Sequence, residues 1–192
     1  MGSPFPLLDQ LQARVSLYGR ELDLLGGQGL VSLALRLPEA PLRAPRLAGP
    51  QFQLLHPQGG ELKAGYGIAA EWRAAGGDRL SVLRDQARHL ASGWRRIDPE
   101  GTGCGGFAFL GFAARPRPGA QTGPDDLPNA LLRVPEIALR TRPGQAALVL
   151  NAGLPASPAA LIARWLALLE RLVPALYRPP PSPPLSGNPL PW

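Results

Sequence analysis

Apolar positions along the chain change period several times, from helical to extended and back. Residues 4–18 place Leu7, Leu8, Leu11, Val15 and Tyr18 on one face at helical spacing, with Asp9 early in the segment, the pattern of an amphipathic helix. Gly26, Gly27 and Gly29 then interrupt the chain. From Leu30 the period becomes two, with Val31, Leu33, Leu35 and Leu37 alternating with Ser32, Ala34 and Arg36 up to Pro38, which predicts a half-buried strand. Four prolines between Pro38 and Pro50 make that stretch a loop. Phe52 to Leu55 and Glu61 to Tyr66 read as short strands joined by the turn His56-Pro57-Gln58-Gly59-Gly60.

The clearest helix opens at Asp78, read as its N-cap, and carries a seam of Leu80, Leu83, Ala87, Leu90 and Trp94 with Arg84, Asp85, Arg88 and Arg95 on the opposite side. It is expected to stop before Asp98-Pro99, because a residue preceding proline is pushed out of the α region. Gly105 to Phe112 is expected as a strand with Phe107 and Phe109 on one face. Leu131 to Thr141 is expected as another, bulged or at an edge at Pro135, which has no ladder donor. Thr141-Arg142-Pro143-Gly144 reads as a hairpin turn into Ala146–Leu150. Ser157-Pro158 reads as a cap with proline at the first helical position. The helix it opens carries Leu161, Ile162, Trp165, Leu166, Leu168, Leu169, Leu172 and Val173. That apolar face is too wide for a surface helix, so it is either deeply buried within the chain or packed on something outside it. Residues 179–192 are proline-rich and read as an extended linker or tail, leaving residues 1–178 as one domain. No repeat is visible, and helix, strands, helix, strands, helix joined by hairpins predicts an α+β fold with a largely antiparallel sheet.

The composition supports a folded body. Of 192 residues, 45% are hydrophobic and 18% charged, which excludes a chain disordered from end to end. Forty-seven residues are glycine or proline, and seven of the prolines fall in the last fourteen positions, so the turn-rich character is concentrated at the tail. The net charge is +6, carried almost wholly by arginine, with Lys63 the one lysine. The arginines are dispersed, the tightest groups being the pairs Arg95/Arg96, Arg115/Arg117 and Arg140/Arg142. A nucleic-acid footprint would be a basic stripe with aromatics between the charges, and aromatics are 6% of the chain, so no nucleic-acid partner is expected. A lone cysteine, Cys104, excludes an internal disulfide and a multi-cysteine metal site. Met-Gly-Ser-Pro-Phe-Pro is not a signal peptide, and the best apolar run, Leu161 to Val173, contains Arg164, Glu170 and Arg171. A soluble cytoplasmic protein with no membrane partner is the expectation.

No set of residues assembles an active site on its own. Gly101-Thr102-Gly103-Cys104-Gly105-Gly106 has the spacing of a dinucleotide fingerprint, but a helix comes before it and a strand after it, the inverse of the required context. A flexible turn with close backbone approach is the better reading. His56 precedes a proline in a turn and His89 sits beside the leucine seam; pairing either with Cys104 leaves no third group to orient the base. Glu61/Lys63 on one strand face and Asp125/Asp126 in a Gly-Pro loop read as surface charge. No catalytic, cofactor-binding or metal residue is assigned.

The order of segments says more than any one residue. Gly65-Tyr66-Gly67-Ile68-Ala69-Ala70-Glu71, then Gly77-Asp78-Arg79-Leu80 at a helix start, then Gly105-Gly106-Phe107-Ala108-Phe109, then Leu127-Pro128-Asn129-Ala130-Leu131-Leu132-Arg133-Val134-Pro135 resembles the N-terminal half of isochorismate synthases. These are members of the chorismate-utilising family, with anthranilate and aminodeoxychorismate synthases. The resemblance covers roughly residues 30–150. Leu110 departs from the isochorismate branch, which usually has an acidic residue there; the Leu-Leu-Glu-Ser motif of the anthranilate branch is missing, and that second point favours the isochorismate branch.

The resemblance implies the N-terminal part of an α/β/α fold whose complete enzyme converts chorismate to isochorismate with Mg²⁺, in menaquinone or siderophore biosynthesis. It also implies that a lysine activating water, a glutamate acting as general acid and the metal-holding glutamates belong to the C-terminal half. Lys63 lies in Glu-Leu-Lys-Ala-Gly and Glu170 is the one acidic residue after Glu136, so none of those roles falls on a position of this chain. The implied partner is a C-terminal chorismate-binding half, in cis or in trans, with chorismate bound only in the complete enzyme and no Mg²⁺ on this chain. The rival readings are an interaction module that kept the scaffold without the chemistry, and an arginine-rich nucleic-acid binder.

Overall fold

The computed structural model describes residues 5–20, 28–38, 44–56, 61–113 and 129–177. The first helical pattern becomes α1 (Pro6–Arg20) and the alternating run becomes β1 (Gly29–Leu37). The predicted hairpin is β2 (Gln51–His56) and β3 (Glu61–Tyr66), antiparallel with Phe52 opposite Gly65. There follow β4 (Ala70–Ala74), α2 (Arg79–Ser92), β5 (Trp94–Ile97), β6 (Phe109–Phe112), β7 (Ala130–Val134), β8 (Ile137–Arg142), β9 (Gln145–Leu154) and α3 (Pro158–Tyr177). The larger sheet runs β2-β3-β8-β9-β1-β5 and the smaller β4-β7-β6. All pairings are antiparallel except that of β1 with β5, so the class is the α+β expected.

One face of the large sheet lies under α1 and α3. Val31, Leu33, Leu35 and Leu37 meet Leu139, Leu148 and Leu150 there, closed over by Leu11 and Val15 of α1 and by Leu161, Trp165, Leu169 and Leu172 of α3. Trp165, Leu169, Leu172 and Val173 are fully buried, so the wide apolar face of α3 is covered within the chain itself. The Ser157 hydroxyl accepts the Ala160 N–H at 3.2 Å, capping α3 as its sequence implies. Among the described residues no helix is long and apolar enough to cross a membrane.

Several boundaries differ from those the pattern predicts. β1 is buried on both faces rather than half-buried, Ser32 and Ala34 being only 2% exposed. It lies between β9 and β5, and the glycine-rich segment covers its second face. The predicted helix to Asp98 ends instead at Ser92, and Trp94 leaves the seam for β5, where it pairs in parallel with Leu30. Sheet pairing overrides the local helical pattern there. Leu80 is 43% exposed, so the seam proper is Leu83, Ala87 and Leu90. Asp78 makes no side-chain cap; its carbonyl accepts the Val82 N–H at 3.0 Å and the Ser81 hydroxyl at 2.7 Å. The single strand expected over Leu131–Thr141 is two, β7 and β8, in different sheets. Pro135, lacking an N–H, marks the break. Next to it, Glu136 donates to the Tyr66 carbonyl and accepts from Asn151, tying the crossing to β3 and β9. Only Phe109–Phe112 of the expected Gly105–Phe112 strand is extended, and it lies at the edge of the small sheet, not inside one.

The segment 101–108 takes no regular structure and is stitched onto the second face of the large sheet. The Asp98 carboxylate accepts the N–H groups of Thr102 and Gly103, each at 2.8 Å, and Thr102 Oγ1 accepts that of Cys104 at 3.1 Å. Gly106 lies against the Trp94 ring, and a Cβ there would come within 2.7 Å of both Asn151 Oδ1 and Ser32 Oγ. Close approach, not phosphate binding, is what this glycine serves. The predicted tail at 179–192, the turn at 57–60, Arg115/Arg117 and Asp125/Asp126 lie outside the described residues.

Two substitutions check this packing by denaturant unfolding. Leu83→Ala or Leu90→Ala should cost about 2–5 kcal/mol, and an unchanged midpoint in both would remove the α2 seam. Gly106→Ala should destabilise by about 1–3 kcal/mol through overpacking; wild-type stability would mean that the segment is not seated on Ser32 and Asn151.

Candidate functional site

The second face of the large sheet is where the polar residues of the fold collect. Cross-strand register places Leu54, Lys63, Arg140, Ala147 and Arg36 in one row, and Phe52, Gly65, Ala138, Val149 and Ala34 in the next. At the β1–β9 end, Ser32 stands opposite Asn151. The Trp94 indole N–H donates to Ser32 Oγ at 2.5 Å, the Ser32 hydroxyl donates to Asn151 Oδ1 at 2.6 Å, and the Asn151 amide donates to the Pro135 carbonyl at 2.8 Å. Ser32 and Asn151 are buried, and buried polar groups are tolerated when each donor has an acceptor. This network fixes β5, β1, β9 and the Pro135 crossing relative to one another. Among the described residues the Ser32 hydroxyl meets the Trp94 indole and the Asn151 amide, neither of them a base, so the network acts as a structural clamp.

Farther along the same face lies a basic row. Lys63 stands directly opposite Arg140, a like-charge cross-strand pair that is unfavourable unless charge is supplied from elsewhere. Neither takes part in an ion pair among the described residues. Arg142 donates to the Gly103 carbonyl at 3.4 Å and lies 4.0 Å from Cys104 Sγ, with its Nε buried and unpartnered.

The carboxylates are not grouped for chemistry. Glu71 is held by Arg73 at 2.6 Å and by Arg133, its cross-strand neighbour, at 2.5 Å. Burial works against its ionised form, but the hydrogen bonds and charges of Arg73 and Arg133 outweigh that and hold it below the usual carboxylate range. Glu100 is bound by Arg14 at 2.9 Å and by the Arg36 N–H at 2.6 Å, and Glu136 is paired with Arg164. Tyr66, beside Glu136 and Arg171 in a cleft of about 240 Å³, donates to the Pro45 carbonyl at 2.8 Å. Burial pushes its phenol up. Each of these acids is neutralised by arginine, and among the described residues no three His, Cys, Asp or Glu side chains are grouped to hold a metal ion. Among the described residues no donor set fits the Mg²⁺ implied by the resemblance.

The residues singled out in the sequence are dispersed. Cys104 is 3% exposed and packs with Ala34, Ala138, Ala147 and Val149. His56 is on β2 opposite Glu61, and His89 is exposed in the last turn of α2. Lys63 and Glu61 share a strand but do not pair. The feature that sequence reading missed is the Ser32–Asn151 clamp. Its one signal was a single polar residue within each of two apolar runs, Leu30–Leu35 and Ala146–Ala152.

No family profile matches the chain, and no curated protein matches it. Among solved structures it is similar to MenF, the menaquinone-specific isochorismate synthase from Escherichia coli, with a TM-score of 0.53 and 17% sequence identity over 91% of this chain and 35% of that one. At that identity the likeness establishes the fold. The chain spans about a third of the length of that enzyme, and its architecture is consistent with a part of the chorismate-binding-enzyme fold.

Proposed function

We propose that the chain is the scaffold portion of an isochorismate synthase of the menaquinone type, without the catalytic groups. The observation that carries this reading is the extent of the fold likeness, 91% of this chain against 35% of the neighbour. The chemistry agrees with it. Moving a hydroxyl on the chorismate ring requires a base to activate water, an acid to protonate the departing hydroxyl, and a cation for the carboxylate, all held in position. Here Glu71, Glu100 and Glu136 are each committed to arginine, and among the described residues Lys63 faces Arg140 with no acid completing a pair. A cation that binds substrate and transition state equally gives no turnover. The chorismate-binding half is the partner in this reading, whether in cis or in trans, and the scaffold supplies its packing surface.

The assay is direct. The purified 192-residue chain with chorismate and Mg²⁺ should give no isochorismate above the uncatalysed background. Addition of a polypeptide carrying a chorismate-binding half should restore turnover if the scaffold reading holds. Turnover by the chain alone, abolished by Lys63→Ala, would overturn it.

A further inference from the structure

We propose that β6 pairs with the β6 of a second copy of this chain, joining two three-stranded sheets into one antiparallel sheet across a two-fold axis. The inference does not depend on the scaffold reading. Among the described residues, β6 pairs only with β7, leaving its other side an open edge. Ala113 donates to the Asn129 carbonyl at 2.9 Å, in the register that sets Gly111 opposite Leu131 and Phe109 opposite Arg133. In an antiparallel ladder, alternate residues turn both backbone groups to the same neighbour. Phe109, Gly111 and Ala113 therefore turn theirs to β7, and Leu110 and Phe112 turn theirs to the open edge.

The same two residues expose their side chains, Leu110 by 55% and Phe112 by 57%. They lie on the face that α2 covers farther in, since Leu110 is opposite the buried Leu132 and Phe112 opposite the buried Ala130. α2 packs mainly on β4 and β7, and leaves Leu110 and Phe112 of β6 more than half exposed. Arg79 donates to the Ala113 carbonyl at 3.0 Å, which brings the first turn of α2, with Leu80 43% exposed, to the end of the strand. Natural edges are guarded by charge, proline or a bulge. β4 carries Glu71 and Arg73, β5 carries Arg95 and Arg96, and β2 carries two glutamines, whereas β6 reads Phe-Leu-Gly-Phe.

Self-complementarity argues for a second copy rather than a foreign strand. Pairing centred on Gly111 sets Leu110 of each copy opposite Phe112 of the other. Each such pair exchanges two backbone hydrogen bonds and stacks an aliphatic side chain on an aromatic one. At the axis, Gly111 meets Gly111 as a non-hydrogen-bonded pair, where the backbones come within about 4.5 Å. Nothing lies within 4 Å of a Cβ built at Gly111, so its side of the strand is open. No charge is brought against its like. The contact is isologous and small, so association is concentration-dependent.

Gly111→Cys tests it. A Cα spacing of about 4.5 Å lies within the disulfide range, and the lone native Cys104 is 3% exposed and leaves little background. Under mild oxidation Gly111→Cys should form a covalent dimer much faster than Phe112→Cys, whose counterpart across the axis is Leu110. Sedimentation velocity of the wild-type chain should show dimer growing with concentration. Leu110→Pro, which removes one outward N–H and leaves the β6–β7 ladder intact, should weaken the dimer at least about tenfold. A chain that stays monomeric to millimolar concentration, or equal cross-linking at positions 111 and 112, would overturn the proposal. That result would assign the open edge to another occupant, such as the polypeptide supplying the rest of the fold, and would leave the turnover assay unaffected.

Discussion

Nine consecutive residues of β1, Gly29 to Leu37, pair with β9 from Leu154 back to Ala146, and the rest of the molecule is arranged around that ladder. It must be continuous because both of its faces are covered. α1 and α3 close one face, and the segment 101–108 closes the other. A buried backbone group without a partner is costly, so the buried stretch from Leu30 to Leu35 has no position at which the ladder can lapse. The Ser32–Asn151 pair sits inside this ladder and uses its own buried polar atoms to reach the Pro135 carbonyl. Through that one carbonyl the central strands fix the point where the chain leaves the small sheet for the large one.

The small sheet depends on the large one. Its strands are four or five residues long, too short for independent stability. Phe109 reaches from β6 to Phe52 of β2, with Phe107 stacked edge-on 5.1 Å away. Gly65 lies beneath them, where a Cβ would come within 3 Å of Phe109, Phe52 and Pro135. Only glycine lets the two sheets approach there, which gives a physical reason for glycine in the Gly-Tyr-Gly stretch of β3.

What was legible in the sequence was local. The alternation in Val31–Leu37, the cap at Ser157-Pro158 and the turn at Pro143-Gly144 depend on neighbours a few residues away, and each stands where its pattern puts it. What was not legible was partnership. The seam Leu80–Leu83–Ala87–Leu90 continues smoothly to Trp94 as a helical pattern, and nothing nearby says that Leu30 will recruit Trp94 into a parallel strand. Likewise, Pro135 signals a disturbed ladder, but a bulge and a change of sheet share that signal. The Ser32–Asn151 clamp spans 119 residues and is visible only once register is known.

The charge pattern follows the same logic. Dispersed arginines look uninformative in a list, yet Arg14, Arg133 and Arg164 each meet a glutamate distant in sequence. The guanidinium forks hold β7 to β4, α1 to the turn after β5, and α3 to the crossing at Glu136. Such pairs keep their carboxylates occupied, whereas a general acid or a metal ligand needs a carboxylate free to meet its substrate or ion. Among the described residues, the arginines that tie this fold together thereby occupy Glu71, Glu100 and Glu136. Lys63 and Arg140, opposed across β3 and β8, lie outside these pairs. An anionic group beside them would relieve their repulsion, so this basic row is a place where added negative charge would favour the fold.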